Sequence, residues 1–156
     1  MILDLVRHGH AVGAHPGGDA ARVLSERGRS ETAQLAADLA ARGWRPECAF
    51  SSPLVRARQT AALLLGAMDS PPAVAVLDSL APDVDPDETI AGLAAVAHAE
   101  HVVVVSHLPL LGLLAKALTG ADPGFEPASF VRIELAGPIA QCDGRIALQI
   151  HPTTRT

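Results

Sequence analysis

The sequence predicts an α/β fold, a three-layer α/β/α sandwich with a mostly parallel sheet and helices on both faces. Apolar runs of strand length alternate with segments whose apolar residues recur at helical spacing. One run, residues 102–105, is four consecutive valines, which is typical of a strand buried on both faces. Because parallel strands need a crossover between them, the alternation favours a parallel sheet.

Composition indicates one domain, residues 1–156, with an aliphatic core. The chain is 156 residues long and 49% hydrophobic, with three Phe, one Trp and no Tyr. The net charge is −5 and no basic run occurs, so we expect neither nucleic acid nor a membrane as a partner. Two cysteines, Cys48 and Cys142, make no disulfide framework, and the N-terminal residues do not resemble a secretory leader. We therefore expect a cytoplasmic protein.

Six segments have the length and apolar content of strands. They are residues 2–7, 47–51, 73–77, 101–106 and, more weakly, 129–135 and 145–150. The last two are joined around Gly137-Pro138 and Asp143-Gly144. The longest irregular stretch, residues 9–24, directly follows the first strand.

Four segments predict helices, and each begins at a capping residue or a proline. Ser25 is a good N-cap for a helix that runs to about Ala41 and stops at Gly43. Ser52 caps a second helix with Pro53 at its first position, where the missing N–H costs nothing. The other two helices begin at Asp85-Pro86 and at Pro109, and they end near His98 and Gly120.

Polar residues follow three of the predicted strands. Arg7-His8-Gly9 ends the first strand, Ser52 to Arg56 follows the second, and His107 follows the four valines. In an open parallel sheet, ligands bind beyond the carboxyl ends of the strands. We therefore expect Arg7, His8, Arg56 and His107 to meet in one pocket.

These residue types suit a phosphoryl group. The guanidinium groups of Arg7 and Arg56 present forked donors that offset its double negative charge. The neutral imidazole of His8 can attack phosphorus if an acceptor holds its second ring nitrogen, and His107 can donate to the transferring oxygens. Gly9 permits close backbone approach beside this nucleophile. Such a pocket needs neither a metal nor a cofactor.

Zinc binding is the alternative use of the polar residues in this region. His8, His10, His15, Asp19 and His107 are of the types that ligate zinc. Neither a His-Glu-x-x-His helix nor a Cys-x-x-Cys pair occurs, and the neighbouring arginines would repel a cation. We expect no metal site. Three further histidines are expected to be ordinary surface or edge residues: His98, His101 and His151.

Four motifs in this order resemble the histidine phosphatase superfamily, whose fold is called phosphoglycerate mutase-like. They are Arg7-His8-Gly9, Leu24-Ser25-x-x-Gly28, Ser52-Pro53-Leu54-x-Arg56-Ala57-x-Gln59-Thr60-Ala61 and Ser106-His107. Two further stretches are similar to the SixA-type phosphohistidine phosphatases: Val76-Leu77-x-x-Leu80-x-Pro82, and Ser106-His107-Leu108-Pro109-Leu110 with Gly112 and Leu114. The resemblance implies that His8 is the nucleophile and that Arg7, Arg56 and His107 complete the phosphate pocket.

The sequence departs from the superfamily pattern at the proton donor, a Glu that many members carry after the third strand. The corresponding residues 80–83 hold no Glu. Asp19, three residues before Arg22, is the better substitute, and Asp83 is the alternative. A phosphohistidine substrate needs such an acid less, because protonated imidazole is a good leaving group. We expect the substrate-binding residues to include Gly9, Arg22 and Leu108.

Three functions remain open at this point. The first is a metal-independent phosphatase that acts on phosphohistidine of a signalling or phosphotransfer protein through a covalent intermediate on His8. The others are a small-molecule phosphomonoesterase of the same superfamily and a non-catalytic phosphoprotein-binding module. Fifty-one positions separate Arg56 from His107, which leaves no room for the long insertion that covers the site in mutases. An open groove suits a phosphorylated protein domain better than a small phosphate ester.

Overall fold

The computed structural model describes residues 1–140 and 144–153, and its sheet has six strands in the spatial order β3-β2-β4-β1-β5-β6. The strands are β1 (Ile2–Arg7), β2 (Cys48–Ser51), β3 (Val74–Val76), β4 (His101–Ser106), β5 (Phe130–Leu135) and β6 (Gly144–Ile150). The first four strands pair in parallel, whereas β5 is antiparallel to β1 and to β6. The predicted, mostly parallel sheet is confirmed.

Four helices and two short 3₁₀ turns connect the strands. The helices are α1 (Glu26–Ala41), α2 (Val55–Leu65), α3 (Pro86–Val96) and α4 (Leu110–Thr119), and the turns are Asp19–Ala21 and Asp78–Leu80. Helix α1 begins as predicted, because the Ser25 hydroxyl accepts a hydrogen bond from the N–H of Gly28 at 3.0 Å. Its end is also as predicted, since Gly43 has a φ of 74° just after the last turn.

The predicted start of α2 is wrong by two residues. The helix begins at Val55, with Leu54 in the capping position and no side-chain cap. The Ser52 hydroxyl does accept a hydrogen bond from the N–H of Leu54, at 3.2 Å, but its second partner is His107, which follows β4. Ser52 therefore serves the strand ends, and Pro53 precedes the helix rather than opening it.

The helices cover both faces of the sheet and make two apolar layers. Helices α1 and α2 pack against one face with Val6, Val103, Val105 and Phe130, and α3 and α4 pack against the other face with Leu3, Leu5, Val102 and Val104. The four valines of β4 are almost inaccessible to solvent. Alternate valines therefore face opposite helical layers, which accounts for the absence of polar residues at positions 102–105.

The strand register brings three chain segments to one edge of the sheet. Arg7 of β1 pairs with Ser106 of β4, and Ser51 of β2 pairs with Val105 of β4. These parallel strands therefore end at the same level. The residues that follow them, His8, Ser52 and His107, leave the sheet side by side.

A buried ionic cluster lies earlier along the same strands. The carboxylate of Asp4, fully inaccessible, accepts hydrogen bonds from Arg132 at 2.8 and 2.9 Å and from Trp44 Nε1 at 2.7 Å. Nε2 of His101 lies 2.6 Å from the same carboxylate. The prediction that His101 is an ordinary edge residue is therefore wrong, because its ring contacts a buried carboxylate within hydrogen-bond distance.

Two predictions concern residues that the structure does not describe, Cys142 and the turn at Asp143. Cys48 lies in β2, partly buried, and forms no disulfide within the described residues. Among the helices of the described residues, none is long and apolar enough to cross a membrane.

Candidate active site

The site is built around two histidines at the ends of the two central strands. His8 follows β1 and His107 follows β4, and their ring centroids are 4.8 Å apart. The main chain fixes this arrangement, since the N–H of His8 donates to the Ser106 carbonyl at 3.1 Å. The two rings therefore occupy positions set by strand pairing rather than by a flexible loop.

The hydrogen bonds of His8 determine which ring nitrogen carries the proton. Nδ1 lies 2.7 Å from the carbonyl oxygen of Gly9, which can only accept, so Nδ1 is the donor. Nε2 is then unprotonated, and it lies 3.4 Å from Nε of Arg56. The arrangement leaves a lone pair on Nε2 for attack on an electrophile.

The charge state of His8 agrees with this role. Burial, followed by the positive charges of Arg56, Arg7 and Arg22, lowers the pKa of His8 to about 4, against the effect of the Gly9 hydrogen bond. The imidazole is therefore neutral at pH 7. A neutral ring is nucleophilic without first losing a proton.

Gly9 is held too closely by its neighbours to carry a side chain. A Cβ at this position would lie 2.8 Å from Thr32 Oγ1 and 2.9 Å from the Gly28 carbonyl oxygen. Its N–H donates to Thr60 Oγ1 at 3.0 Å, so this amide is not free for a ligand. The close approach predicted for Gly9 is present, and it serves to place the carbonyl that holds His8.

Arg7 is half-buried and has an unused donor. One terminal nitrogen donates to the Phe125 carbonyl at 2.8 Å, whereas Nε is buried and has no partner among the described residues. Burial lowers the pKa of Arg7, which shows that its charge has lost hydration. An anion would restore the missing interaction.

Arg56 lies in the first turn of α2 with only 6% of the residue exposed. Nε faces His8, and its two terminal nitrogens bind Asp19, one through the main-chain carbonyl at 2.9 Å and one through Oδ2 at 3.2 Å. Thr60 Oγ1 donates to the Arg56 carbonyl at 2.8 Å. The guanidinium group is thus fixed between the nucleophile and the loop that precedes α1.

His107 is buried and paired with Ser52. Its Nε2 lies 2.6 Å from Ser52 Oγ, and its Nδ1 is buried with no partner among the described residues. Burial is the main cause that lowers the pKa of His107 to about 3. The positive charge that His8 carries once it is protonated, and then the charge of Arg56, lower it further. His107 is therefore a neutral ring at pH 7, and its Nδ1 remains available for a hydrogen bond to a ligand.

Asp19 and Arg22 lie at the exposed side of the pocket. Arg22 donates to Asp19 Oδ1 at 2.9 Å and to the carbonyls of Val12 and Gly13 at 2.8 and 3.1 Å. The hydrogen bond from Arg22, together with the charge of Arg56, holds the pKa of Asp19 below its usual value. The carboxylate is therefore ionised at pH 7, whereas a proton donor must hold a proton. Asp19 lies beside Arg56, and an ionised carboxylate does not itself supply a proton, so its role as proton donor stays a prediction.

Several of the predicted residues contact one another, and three lie outside these contacts. Hydrogen bonds or close charges join His8, Arg7, Arg56, His107, Asp19 and Arg22. Leu108 is 37% exposed next to His107 in the chain. Asp83 is exposed, and His10 is exposed with Nδ1 2.7 Å from Ser25 Oγ.

Four contributions to the site were not predicted: Ser52, Thr60, Phe125 and Ala128. The N–H of Ala128 donates to the carbonyls of both Arg7 and His8 at 3.1 Å, from a residue whose φ is 61°. Phe125 and Ala128 act through main-chain atoms, so their side chains carry no signal in the sequence. Ser52 and Thr60 do stand in the quoted motif, where their hydroxyls could have been considered as hydrogen-bond partners for the histidine His107 and for the main chain of Gly9 and Arg56.

The charges of the pocket favour an anion over a cation. Three guanidinium groups surround the two neutral histidines, and one carboxylate opposes them. Within residues 1–140 and 144–153, no group of three His, Cys, Asp or Glu side chains is arranged to hold a metal ion. The donors of Arg7, Arg56 and His107 suit the oxygens of a tetrahedral oxyanion.

Known structures resemble this chain over almost its whole length. The protein histidine phosphatase SixA complexed with tungstate is 28% identical, with 97% of each chain covered and a TM-score of 0.88. A protein from Agrobacterium tumefaciens assigned to the SixA group is 24% identical, with 97% of each chain covered and a TM-score of 0.83. The mycobacterial glucosyl-3-phosphoglycerate phosphatase Rv2419c has the same fold at 20% identity, covering 94% of this chain and 97% of its own, with a TM-score of 0.71.

The comparison with protein families matches the part of the chain that carries three of the four central site residues. No curated protein sequence matches the chain. The family described as the histidine phosphatase superfamily (branch 1) matches residues 3–81, which include Arg7, His8 and Arg56. His107 lies beyond this match, but the register of β1 and β4 places it beside His8. By this match and by its structural neighbours, the chain belongs to the histidine phosphatase superfamily.

Proposed function

We propose that this chain is a phosphatase that hydrolyses its substrate through a covalent phosphohistidine intermediate on His8. We propose further that the substrate is phosphohistidine on a signalling or phosphotransfer protein. The observation that supports the mechanism is the state of His8: Nδ1 is held by the Gly9 carbonyl, and Nε2 is unprotonated beside Arg56. A nucleophile and an anion-binding group thus lie next to each other.

The reaction would proceed in two displacements at phosphorus. In the first, the Nε2 lone pair of His8 forms the new N–P bond and the bond to the leaving group breaks. In the second, water attacks the same phosphorus, the N–P bond breaks, its electron pair returns to Nε2, and the two protons of the water leave with the phosphate. The Gly9 carbonyl keeps accepting from Nδ1–H while the ring carries a positive charge. Phosphate leaves and His8 is restored.

The remaining residues would stabilise the charge on the transferring oxygens. Arg56 is buried and Arg7 has a buried Nε with no partner among the described residues, so an oxyanion gains donors that are already in place. His107 adds its unpartnered Nδ1. Positioning and charge stabilisation supply most of the catalysis of phosphoryl transfer, so these residues suffice without a metal.

The short chain between Arg56 and His107 supports a protein substrate. The chain between Arg56 and His107 is taken up by the rest of α2, by β3, by α3 and by β4, with short connections between them. This part of the chain therefore holds no long insertion, since its longest connection is residues 77–85, which include the turn Asp78–Leu80. Leu108, 37% exposed next to His107, offers an apolar contact that a protein surface can bury. The 28% identity to a protein histidine phosphatase over 97% of both chains points the same way.

We also propose that residues 1–156 act as one domain in the cytoplasm. Strands β1 and β6 belong to the same sheet, with β5 between them. The described residues near both ends of the sequence therefore pack into one unit.

The test compares substrates directly. A histidine-containing phosphotransfer domain is phosphorylated with labelled phosphate, and kcat/KM is measured beside p-nitrophenyl phosphate, sugar phosphates, nucleotides and phosphoglycerate. We expect the protein substrate to exceed every metabolite, because an open groove gains affinity from contact area that a small ester lacks. The variant His8→Ala is the control, and it should lose turnover of every substrate while its far-UV spectrum and melting temperature stay near those of the wild type.

Three results would count against the proposal. A metabolite with kcat/KM near or above about 10⁴ M⁻¹s⁻¹, and no turnover of the protein, would favour a small-molecule phosphomonoesterase. Tungstate binding without turnover of any substrate would favour a phosphoprotein-binding module. Acid-labile label trapped on a residue other than His8 would refute the covalent mechanism.

A further inference from the structure

One side chain in the pocket has the wrong charge for a phosphate site. Asp19 Oδ2 lies 3.2 Å from one terminal nitrogen of Arg56, and Oδ1 lies 2.9 Å from Arg22. The carboxylate therefore occupies donors that a phosphoryl group would otherwise use. A negative charge here opposes the binding of any anion, so it must be offset by a benefit to the intended substrate.

The exposure of Asp19 indicates which part of the substrate it meets. Its side chain is 65% exposed, whereas the side chain of Arg56 is 7% exposed. Asp19 thus lies on the solvent side of Arg56, and His8 Nε2 faces Arg56 from the buried side. In an in-line displacement, the leaving group departs on the side of phosphorus opposite to the nucleophile. If the leaving group departs towards solvent, away from His8, it extends to the exposed side on which Asp19 lies.

The chemistry of the leaving group decides whether this carboxylate helps or hinders. An ester oxygen becomes negative as its bond to phosphorus breaks, and a carboxylate beside it repels that charge. A protonated phosphohistidine ring carries a positive charge and one N–H donor. A carboxylate that stays ionised attracts that charge and accepts that hydrogen bond.

We propose that Asp19 is a specificity-determining residue, whose carboxylate accepts a hydrogen bond from the protonated imidazole of the substrate and thereby favours phosphohistidine over phosphate esters. This inference rests on the proposed function and assigns one of its residues. The two guanidinium groups that contact Asp19 hold the carboxylate in place and keep it ionised. Arg22 is the positioning residue, because it also binds the carbonyls of Val12 and Gly13.

The displacement then needs no proton donor. His8 Nε2 forms the new N–P bond, and the bond from phosphorus to the substrate ring breaks. Its electron pair goes to the ring nitrogen that held the phosphoryl group. The ring was protonated on its other nitrogen, so it leaves as neutral imidazole with that proton in place. Asp19 accepts from this N–H throughout and neither gains nor loses a proton.

The test uses small substrates that do not require a protein-binding surface, namely free phosphohistidine and p-nitrophenyl phosphate. Phenyl phosphate is added as an ester with a poorer leaving group. For Asp19→Asn, we expect kcat/KM for phosphohistidine to fall about ten- to hundredfold relative to that for p-nitrophenyl phosphate, the range for a lost charge-assisted hydrogen bond. Asp19→Glu should recover part of the preference. Asp69→Asn, which removes the same charge from an exposed position at the end of α2, should leave the ratio unchanged.

Two results would overturn the proposal. Equal losses on all three substrates would show that Asp19 only holds Arg56 in place. A loss largest on phenyl phosphate would show that Asp19 donates a proton. These results are separate from a failure of the proposed function, because the ratio is measured on free phosphohistidine, whether or not a phosphorylated protein domain is the better substrate.

Discussion

The Ser52 hydroxyl oxygen lies 2.6 Å from Nε2 of His107, and both side chains are buried. The same oxygen accepts the N–H of Leu54 at 3.2 Å, and among the described residues its own proton has no acceptor other than Nε2. Ser52 therefore donates to Nε2, and the ring proton of His107 is on Nδ1. That N–H is buried and unpartnered in the described part of the chain, so a phosphoryl oxygen would complete its hydrogen bonding.

Removal of the Ser52 hydroxyl should weaken catalysis through His107. In Ser52→Ala, the tautomer of His107 is no longer fixed, and we expect kcat/KM for p-nitrophenyl phosphate to fall roughly tenfold or more, as for the loss of one buried hydrogen bond. Ser51→Ala is the matched control, because Ser51 is also buried but its hydroxyl donates to the Ser52 carbonyl rather than to a histidine. Equal activity of the two variants would contradict this account of His107.

Arg56 and Arg58 provide a comparison within one helix. Arg56 is buried beside His8 and Arg58 is exposed. Arg56→Ala should lower kcat/KM by about 100- to 1,000-fold, or about 2.7–4 kcal/mol, the range for one oxyanion donor, and Arg58→Ala should have little effect. Arg56→Lys should also lose most activity, because an ammonium group lacks the planar fork. Similar losses for Arg56→Ala and Arg58→Ala would contradict the orientation of α2, which buries Arg56 and exposes Arg58.

The central part of this site could be predicted from the sequence because it follows from strand pairing. The four valines mark β4 as a buried strand, and the residues after it, like those after β1, lie at the carboxyl edge of a parallel sheet. Arg7, His8 and His107 were located on that basis. Arg56 followed from its place in the first turn after β2.

The remaining features depend on contacts that no local pattern contains. Ser52 followed by Pro53 resembles a helix start, and only the position of His107 shows where the hydroxyl is used. The charge of Asp19 could be read from the sequence, but its lowered pKa depends on Arg22 and on Arg56, which is distant in the chain. The buried Asp4 in an apolar strand likewise gave no indication that Arg132 lies beside it.

Activity should be independent of metal ions and sensitive to oxyanions. Three guanidinium groups near His8 repel a cation and attract a tetrahedral anion. We expect turnover of p-nitrophenyl phosphate to survive exhaustive chelation, and tungstate to inhibit it competitively. In Arg56→Lys, which keeps the charge but not the forked donor, calorimetric titration should show weaker tungstate binding. Loss of turnover with EDTA, restored by zinc, would instead favour a zinc enzyme.

The pH dependence of the free enzyme should reflect the lowered pKa of His8. Burial, followed by the nearby arginines, lowers this pKa to about 4, so the neutral, nucleophilic ring persists at pH values where an ordinary histidine with a pKa of 6.5 is protonated. Protonation removes the lone pair of Nε2. The acid limb of kcat/KM, corrected for the ionisation of the substrate phosphate at about pH 6, should therefore lie near pH 4.

Nuclear magnetic resonance of the empty enzyme tests the same statement without a substrate. The His8 ring signal, assigned by its absence in His8→Gln, should show the Nδ1–H tautomer at pH 6 and should titrate near pH 4. Bound tungstate should raise the midpoint, because an anion stabilises the charged imidazolium form. A midpoint near 6.5 in the empty enzyme, or a proton on Nε2, would show that burial and the arginines do not keep His8 neutral.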